Sequence, residues 1–291
     1  MKNRIDLYLV SGFLGSGKTT FLQHILSGTD TQRVGVIVNE YGVVGIDGKV
    51  LEDDEAQIME INSGSIFCAC LKGDFVHTLA EFLEKPIDKL YVEASGMADP
   101  SSMAELLKQL NYLLEKRGQT TRHYNYCGSV CLVDAGHFID LSMSLVAPVN
   151  QIQKSNLVIL NKTDTVTKDG LEQVHKRIYE IRPDAFIYDT TFANVPLELF
   201  DKYLTGEVLA ARESKSSNTP WNRPFEGVLS LPEVYELEKV KEFLDVITKK
   251  MVRVKGFFAG KESFYYVSCV GQDIDIIQSK PDDRKEKSRV V

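Results

Sequence analysis

The chain has 291 residues, 43% of them hydrophobic, and a formal net charge of −7. That acidic balance argues against general affinity for nucleic acid or an anionic membrane surface, and no apolar run approaches the roughly 18 residues of a spanning helix. Five cysteines, an odd number, do not suggest a disulfide framework, and the length allows one large or two unequal domains.

The first residues, MKNRIDLYLVSGFLGSGKTT, begin basic and apolar in the manner of a signal peptide. Glycines and Lys18 interrupt the run and no small-residue cleavage pattern follows, so the segment reads as part of the fold and the expected location is cytoplasmic. Short, almost continuously apolar stretches then recur: IDLYLVS (5–11), VGVIVNE (34–40), KLYVEAS (89–95), GSVCLVDA (128–135) and NLVILNK (156–162). Such runs are what strands of a parallel sheet look like when helices cover both faces. Helical patterns lie between them, notably KTTFLQHILSG (18–28) and SSMAELLKQLNYLLEKRG (101–118), each closed by a glycine. The alternation predicts an α/β, doubly wound domain over 1–212.

The pattern changes at ESKSSNTPWNRP (213–224), which is polar, proline-containing and aperiodic, and reads as a linker. A strand-like FEGVLSL, a helical EVYELEKVKEFLDVITKKM and the alternating VRVKGFFAG and ESFYYVSCV follow, predicting a small α+β domain over 225–279. The charged stretch 280–291 reads as a disordered tail.

GFLGSGKT (12–19) has the spacing of a phosphate-binding loop, glycine, four residues, glycine, lysine, then serine or threonine. The glycines let backbone N–H groups of Gly15, Ser16 and Gly17 approach phosphate oxygens, and the following helix presents its N-terminus to them. Lys18 brings charge to the β- and γ-phosphates, the Thr19 hydroxyl can ligate Mg²⁺, and Thr20 beside it is expected among the nucleotide-binding residues. At the end of a later strand, Asn161, Lys162 and Asp164 stand in the spacing that reads guanine. The Asp164 carboxylate would accept from guanine N1–H and the 2-amino group, which adenine cannot offer. Between these motifs, Glu93 ends an apolar strand three residues before Gly96, the position of a Mg²⁺-associated catalytic acid.

Taken in order, SGFLGSGKTT, VNEYGVVGID, VEASGMADP and NKTD resemble the CobW-type GTPases of the CobW/HypB/UreG class, and the VRVKGFF strand resembles one in that family's C-terminal domain. The resemblance implies a P-loop NTPase three-layer sandwich with a mostly parallel sheet, plus a small α+β domain. It implies that VNEYGVVGID is the first switch segment, with Glu40 and Asp47 facing Mg²⁺, γ-phosphate or the attacking water. Where relatives usually carry a glutamate after the switch glycine, this chain has Val43. The family's Cys-x-Cys-Cys corresponds here to Cys68-x-Cys70 in GSIFCACLKG, with no adjacent third cysteine.

On their own chemistry, Cys68 and Cys70 admit three readings: a soft-metal chelate, a redox pair, or packing residues. Two positions apart in an extended segment they emerge on one side and can share an ion at the Zn–S distance of about 2.3 Å. The usual redox spacing is one residue longer. Glu40, Asp74, His77 or a second chain in a homodimer would complete the site. Cys131 and Cys269 lie within apolar strands and read as packing residues, and Cys127 near His123 is a weaker candidate for a second site.

The expected function is a slow GTPase that binds guanine nucleotide, Mg²⁺ and a transition metal, Zn²⁺ or Co²⁺, and delivers the metal or a metal cofactor to a client protein. The alternative is a GTP-dependent switch that gates a client enzyme without carrying metal. A third, an ATP-dependent kinase or carrier, would conflict with the role given to Asp164.

Overall fold

The computed structural model describes residues 4–28, 33–39, 57–61, 72–94, 103–118, 122–206, 227, 229–231, 234–251, 253–261, 263–270, 273–279 and 288–290. The chain divides into two compact units, Met1–Arg223 and Pro224–Val291. The segment read as a linker, 213–224, lies outside the described residues.

In the first unit the strands are β1 (Arg4–Gly12), β2 (Val34–Asn39), β3 (Gln57–Ile61), β4 (Lys89–Glu93), β5 (His123–Asp134), β6 (Leu157–Asn161) and β7 (Ile187–Asp189). They form one sheet in the order β3-β2-β4-β1-β5-β6-β7, and every pairing in it is parallel. The helices are α1 (Lys18–Gly28), α2 (Lys72–Leu83), α3 (Met103–Arg117), α4 (Phe138–Ser144), α5 (Val146–Lys154), α6 (Lys168–Ile181) and α7 (Glu198–Tyr203). The expected α/β, three-layer, mostly parallel architecture is therefore what the unit adopts.

Side-chain alternation on the central strands sorts the core onto two faces. Tyr8 and Val10 of β1 pack with Phe21, Leu22 and Ile25 of α1 and Phe200 of α7. Ile5, Leu7 and Leu9 of the same strand pack with Phe75, Leu79 and Phe82 of α2 and Leu106 and Leu110 of α3. Further along the sheet that second face is covered by Ile152 of α5 and by Val174 and Ile178 of α6. Burying each such side chain is worth about 1.5–3 kcal/mol, which is why the strands read as unbroken apolar runs.

One irregularity has consequences for the site. The β1–β5 register steps from Leu7↔Tyr126 to Tyr8↔Gly128, leaving Cys127 as an extra residue on β5. A one-residue bulge exchanges the faces of everything beyond it. Tyr124 accordingly packs on the α2–α3 face, whereas Val130 and Leu132 pack on the α1 face. Asp134, two residues further along β5, follows the parity of Leu132 and sits beside Asn161 of β6 in register.

In the second unit, α8 (Leu237–Ile247) accompanies a five-stranded sheet of β8 (Leu229–Leu231), β9 (Arg253–Ala259), β10 (Phe264–Val270), β11 (Asp273–Ser279) and β12 (Ser288–Val290). The order is β11-β10-β9-β12-β8, with antiparallel pairings. Val240 and Leu244 of α8 pack against Val254, Phe258, Val267 and Cys269.

Here one expectation is corrected. Residues 288–290, taken as part of a disordered tail, form a strand between β9 and β8. The Ala259 N–H donates to Ser288 Oγ at 2.8 Å, and Val290 is only 3% exposed within the core of this unit. The charged composition of the preceding residues describes local solvation. It carries no information about a strand whose partners come from elsewhere in the chain.

Candidate nucleotide site

The site forms at the C-terminal end of the central strand β1, where the sheet order reverses and α/β folds place their ligands. The β1–α1 loop turns through Gly12 (φ 140°), Gly15 (φ 74°) and Gly17 (φ 100°), backbone geometries that side chains disfavour. Space is as restrictive as conformation. A Cβ at Gly12 would lie 2.4 Å from the carbonyl oxygen of Leu132, and one at Gly17 would lie 2.4 Å from Asn161 Nδ2.

Lys18, at the start of α1 and 6% exposed, folds back over the loop, its Nζ donating to the carbonyls of Gly12 at 3.0 Å and Phe13 at 3.2 Å. Ser16 Oγ is buried and has no hydrogen-bond partner among the described residues. Thr19 and Thr20 are half-buried in the first turn of α1. Loop amides, a helix N-terminus and a lysine together favour an anion with several oxygens.

Asn161 joins this loop to a second one. Its Nδ2 donates to the Ser16 carbonyl at 2.9 Å, and its Oδ1 accepts from the Ala193 N–H at 2.8 Å. Lys162 follows in the left-handed region at φ 59° and leads into the 3₁₀ turn Thr163–Thr165, which carries the exposed Asp164. Thr163 Oγ1 donates to the Thr190 carbonyl at 3.0 Å, and Thr190 Oγ1 to that of Asn194 at 2.6 Å. The sequence motifs thus meet: Gly15, Ser16, Gly17, Lys18 and Thr19 on one side, Asn161, Lys162 and Asp164 on the other.

Sequence reasoning missed two contributors. The loop Thr190–Asn194 has Phe192 and Ala193 at φ 52° and 54°, a strained arrangement for residues other than glycine, and Phe192 is 74% exposed. Nothing in TTFAN signals this locally. The second is Asp134, at the end of β5, which ion-pairs with Lys162 Nζ at 2.8 Å. It ends an apolar strand just as Glu93 does, and that signal could have found it. Burial alone would raise its pKa, but the His137 hydrogen bond and the Lys162 charge outweigh this and hold it below the ordinary carboxylate range.

Glu93 is buried at the end of β4, in register with Val10 of β1 and Val38 of β2. Glu40, Asp47, Cys68 and Cys70 lie outside the described residues, as do Val43 and Gly96. His77 is described, exposed on α2 with its Nδ1 3.2 Å from Glu81 Oε1. Among the described residues no cluster of three or more His, Cys, Asp or Glu side chains could hold a metal. Cys127, Cys131 and Cys269 are buried free thiols, and burial pushes their pKa values up to about 11, 12 and 11. These three are packing residues in this structure.

The family model described as "CobW/HypB/UreG, nucleotide-binding domain" matches residues 6–189, which span the phosphate loop, Asp134 and the Asn161–Asp164 turn and stop just before the Thr190–Asn194 loop. The chain belongs to the CobW/HypB/UreG family. It is 31% identical over 202 residues to the zinc chaperone YjiA of Escherichia coli strain K12, covering 68% of this chain and 61% of that protein. With the zinc chaperone CobW of Pseudomonas aeruginosa it shares 27% identity over 324 residues, covering 94% of this chain and 82% of the relative. The chain thus spans less than two thirds of the YjiA relative's own length. The crystal structure of Zn(II)-bound YjiA GTPase from E. coli superimposes with a TM-score of 0.51 at 22% identity, covering 99% of this chain and 93% of that one. That likeness supports the CobW/HypB/UreG fold for the chain. No helix among the described residues is long and apolar enough to cross a membrane.

Proposed function

We propose that this member of the CobW/HypB/UreG family binds and hydrolyses GTP and couples the nucleotide state to delivery of a transition metal, zinc in the first instance, to a client protein. The observation that carries the nucleotide half is the double tie of Asn161, which joins the Ser16 carbonyl of the phosphate loop to the Ala193 amide of the loop beyond β7. Phosphate-binding and base-reading segments are thereby held as one surface.

In this reading the loop amides of Gly15, Ser16 and Gly17 and the α1 N-terminus hold the phosphates. Lys18 exchanges its two carbonyl partners for β- and γ-phosphate oxygens, and the buried Ser16 hydroxyl gains a partner. Asp164 accepts from the guanine N1–H and 2-amino groups. Thr19 and Glu93 supply hard oxygen donors of the kind Mg²⁺ takes, and that ion would neutralise charge developing on the phosphoryl oxygens. By family likeness, Glu40 and Asp47 belong to the first switch, and Cys68 and Cys70 to the cargo site, which Asp74, His77 or a second chain would complete. The relatives' names as zinc chaperones support the metal half.

Nucleotide competition and metal titration test the two halves separately. GTP and GDP should displace a labelled guanine nucleotide where ATP at equal concentration does not, and Asp164→Asn should shift preference from guanine to xanthine nucleotides. Zn²⁺ uptake should depend on nucleotide state and fall in Cys68→Ser/Cys70→Ser. Equal uptake by the two proteins would leave a GTP-dependent switch without metal cargo.

A further inference from the structure

We infer that Asp134 is a positioning residue for guanine recognition: it holds Lys162, and through it the turn that presents Asp164. The inference rests on the nucleotide reading above and adds a residue outside the motifs that suggested it.

The geometry runs in one direction from sheet to ligand edge. The bulge at Cys127 sets the face of β5 from which Asp134 projects, and Asp134 lies opposite Asn161 in the β5–β6 register. The next amide, Ala135 N–H, donates to the Asn161 carbonyl at 3.0 Å. Asp134 Oδ1 accepts from the Gly136 N–H at 3.0 Å. Its Oδ2 lies 2.8 Å from Lys162 Nζ and 3.3 Å from His137 Nδ1. The carboxylate side chain is 4% exposed and that of Lys162 31%, so this ion pair is poorly screened by water.

Lys162 also has a strained backbone. Its left-handed φ turns the chain from β6 into the 3₁₀ turn, and its carbonyl accepts from both the Thr165 N–H at 3.0 Å and Thr165 Oγ1 at 2.8 Å. A Cβ placed on Gly136 would come within 3.2 Å of Thr165 Oγ1, so the loop after Asp134 packs directly on the turn that carries Asp164. Asp134 therefore anchors Lys162 at its side chain while the turn anchors it at its carbonyl. A base-reading loop fixed before the base arrives loses less conformational entropy on binding.

Titration calorimetry with GDP and GTP on the full chain tests this. In Asp134→Asn the amide NH₂ faces Lys162 Nζ, and both nucleotides should bind about tenfold more weakly, as expected when the ion pair that fixes the loop is lost. At saturating GTP, turnover should stay within about twofold of wild type, because a positioning effect on binding leaves the bound-state chemistry alone. His137→Gln leaves the Asp134–Lys162 pair in place and should keep wild-type affinity. The double variant Asp134→Asn/Lys162→Met should bind no more weakly than Lys162→Met alone, since both changes remove one interaction. Losses that multiply in the double variant, or wild-type affinity in Asp134→Asn, overturn the inference. Should Asp134→Asn fail to fold by thermal unfolding, Asp134→Ser, which keeps an acceptor for Gly136 without the charge, carries the same test. A wild-type protein that binds neither GDP nor GTP overturns the proposed function instead.

Discussion

Asn161, the last residue of β6, and Ser16, in the loop beyond β1, are joined by one hydrogen bond, Nδ2 to the backbone carbonyl at 2.9 Å. The amide's other end is equally occupied, by the Ala193 N–H at 2.8 Å, and the side chain is almost wholly buried. Truncation leaves two backbone groups unpartnered in a desolvated setting, at about 1–3 kcal/mol each. Asn161→Ala should therefore lower stability by roughly 2–4 kcal/mol in urea unfolding and weaken GDP binding at least tenfold. A variant with wild-type midpoint and affinity would show that the two loops need no bridge.

Gly12 and Gly118 both adopt positive φ, but in different surroundings. A methyl group on Gly12 would strike the Leu132 carbonyl, whereas one on Gly118 meets nothing within 4 Å among the described residues. Gly118→Ala should cost only the left-handed backbone penalty of about 1–2 kcal/mol and leave nucleotide binding intact. Gly12→Ala should cost more than that and abolish binding, because the loop must move off β5 to make room. Thermal unfolding and GDP titration of the two variants side by side check the contrast.

Asp134 also predicts the acid limb of the stability curve. Its folded-state pKa lies below the ordinary carboxylate value, with burial opposed and outweighed by the His137 hydrogen bond and the Lys162 charge. A depressed pKa stabilises the folded state fully above the unfolded value of about 3.9, and that contribution is lost as pH falls through the folded value. Wild-type stability should therefore fall as pH drops below about 4, and Asp134→Asn should show a shallower fall there. Parallel slopes for the two proteins in denaturant titrations between about pH 5 and pH 2 would count against the assignment.

Removal of residues 288–291 tests the corrected tail. It takes away β12, which pairs with both β8 and β9, together with the buried Val290 side chain. Loss of that burial alone is worth about 1.5–3 kcal/mol, so the second unit should unfold earlier while GDP affinity of the first is unchanged. An unaltered unfolding profile would contradict the strand.

The strand–loop–helix of GFLGSGKT is legible in the sequence because its chemistry is local. Three glycines, a lysine and a hydroxyl at fixed spacing specify a backbone path and a ligand, whatever surrounds them. The same holds for the apolar runs of β1, β2, β4, β5 and β6, whose continuity reports two covered faces. The short strands β3 and β7 lay below that threshold, and β12 was hidden by charged neighbours.

By itself, then, the sequence determined the fold class, the phosphate loop and the strand-end turn proposed to read the guanine base, since each depends on spacing within a few residues. Tertiary structure decided which distant groups meet them. Cys127 is marked locally only by Gly128 beside it at φ 138°, and it is the pairing with β1 that gives Cys127 its extra place in β5 and so sets the face of Asp134. The TTFAN loop looks ordinary until its Ala193 amide is found on Asn161. Such pairings depend on strand register and sheet order, which arise only when segments far apart in the chain are packed together.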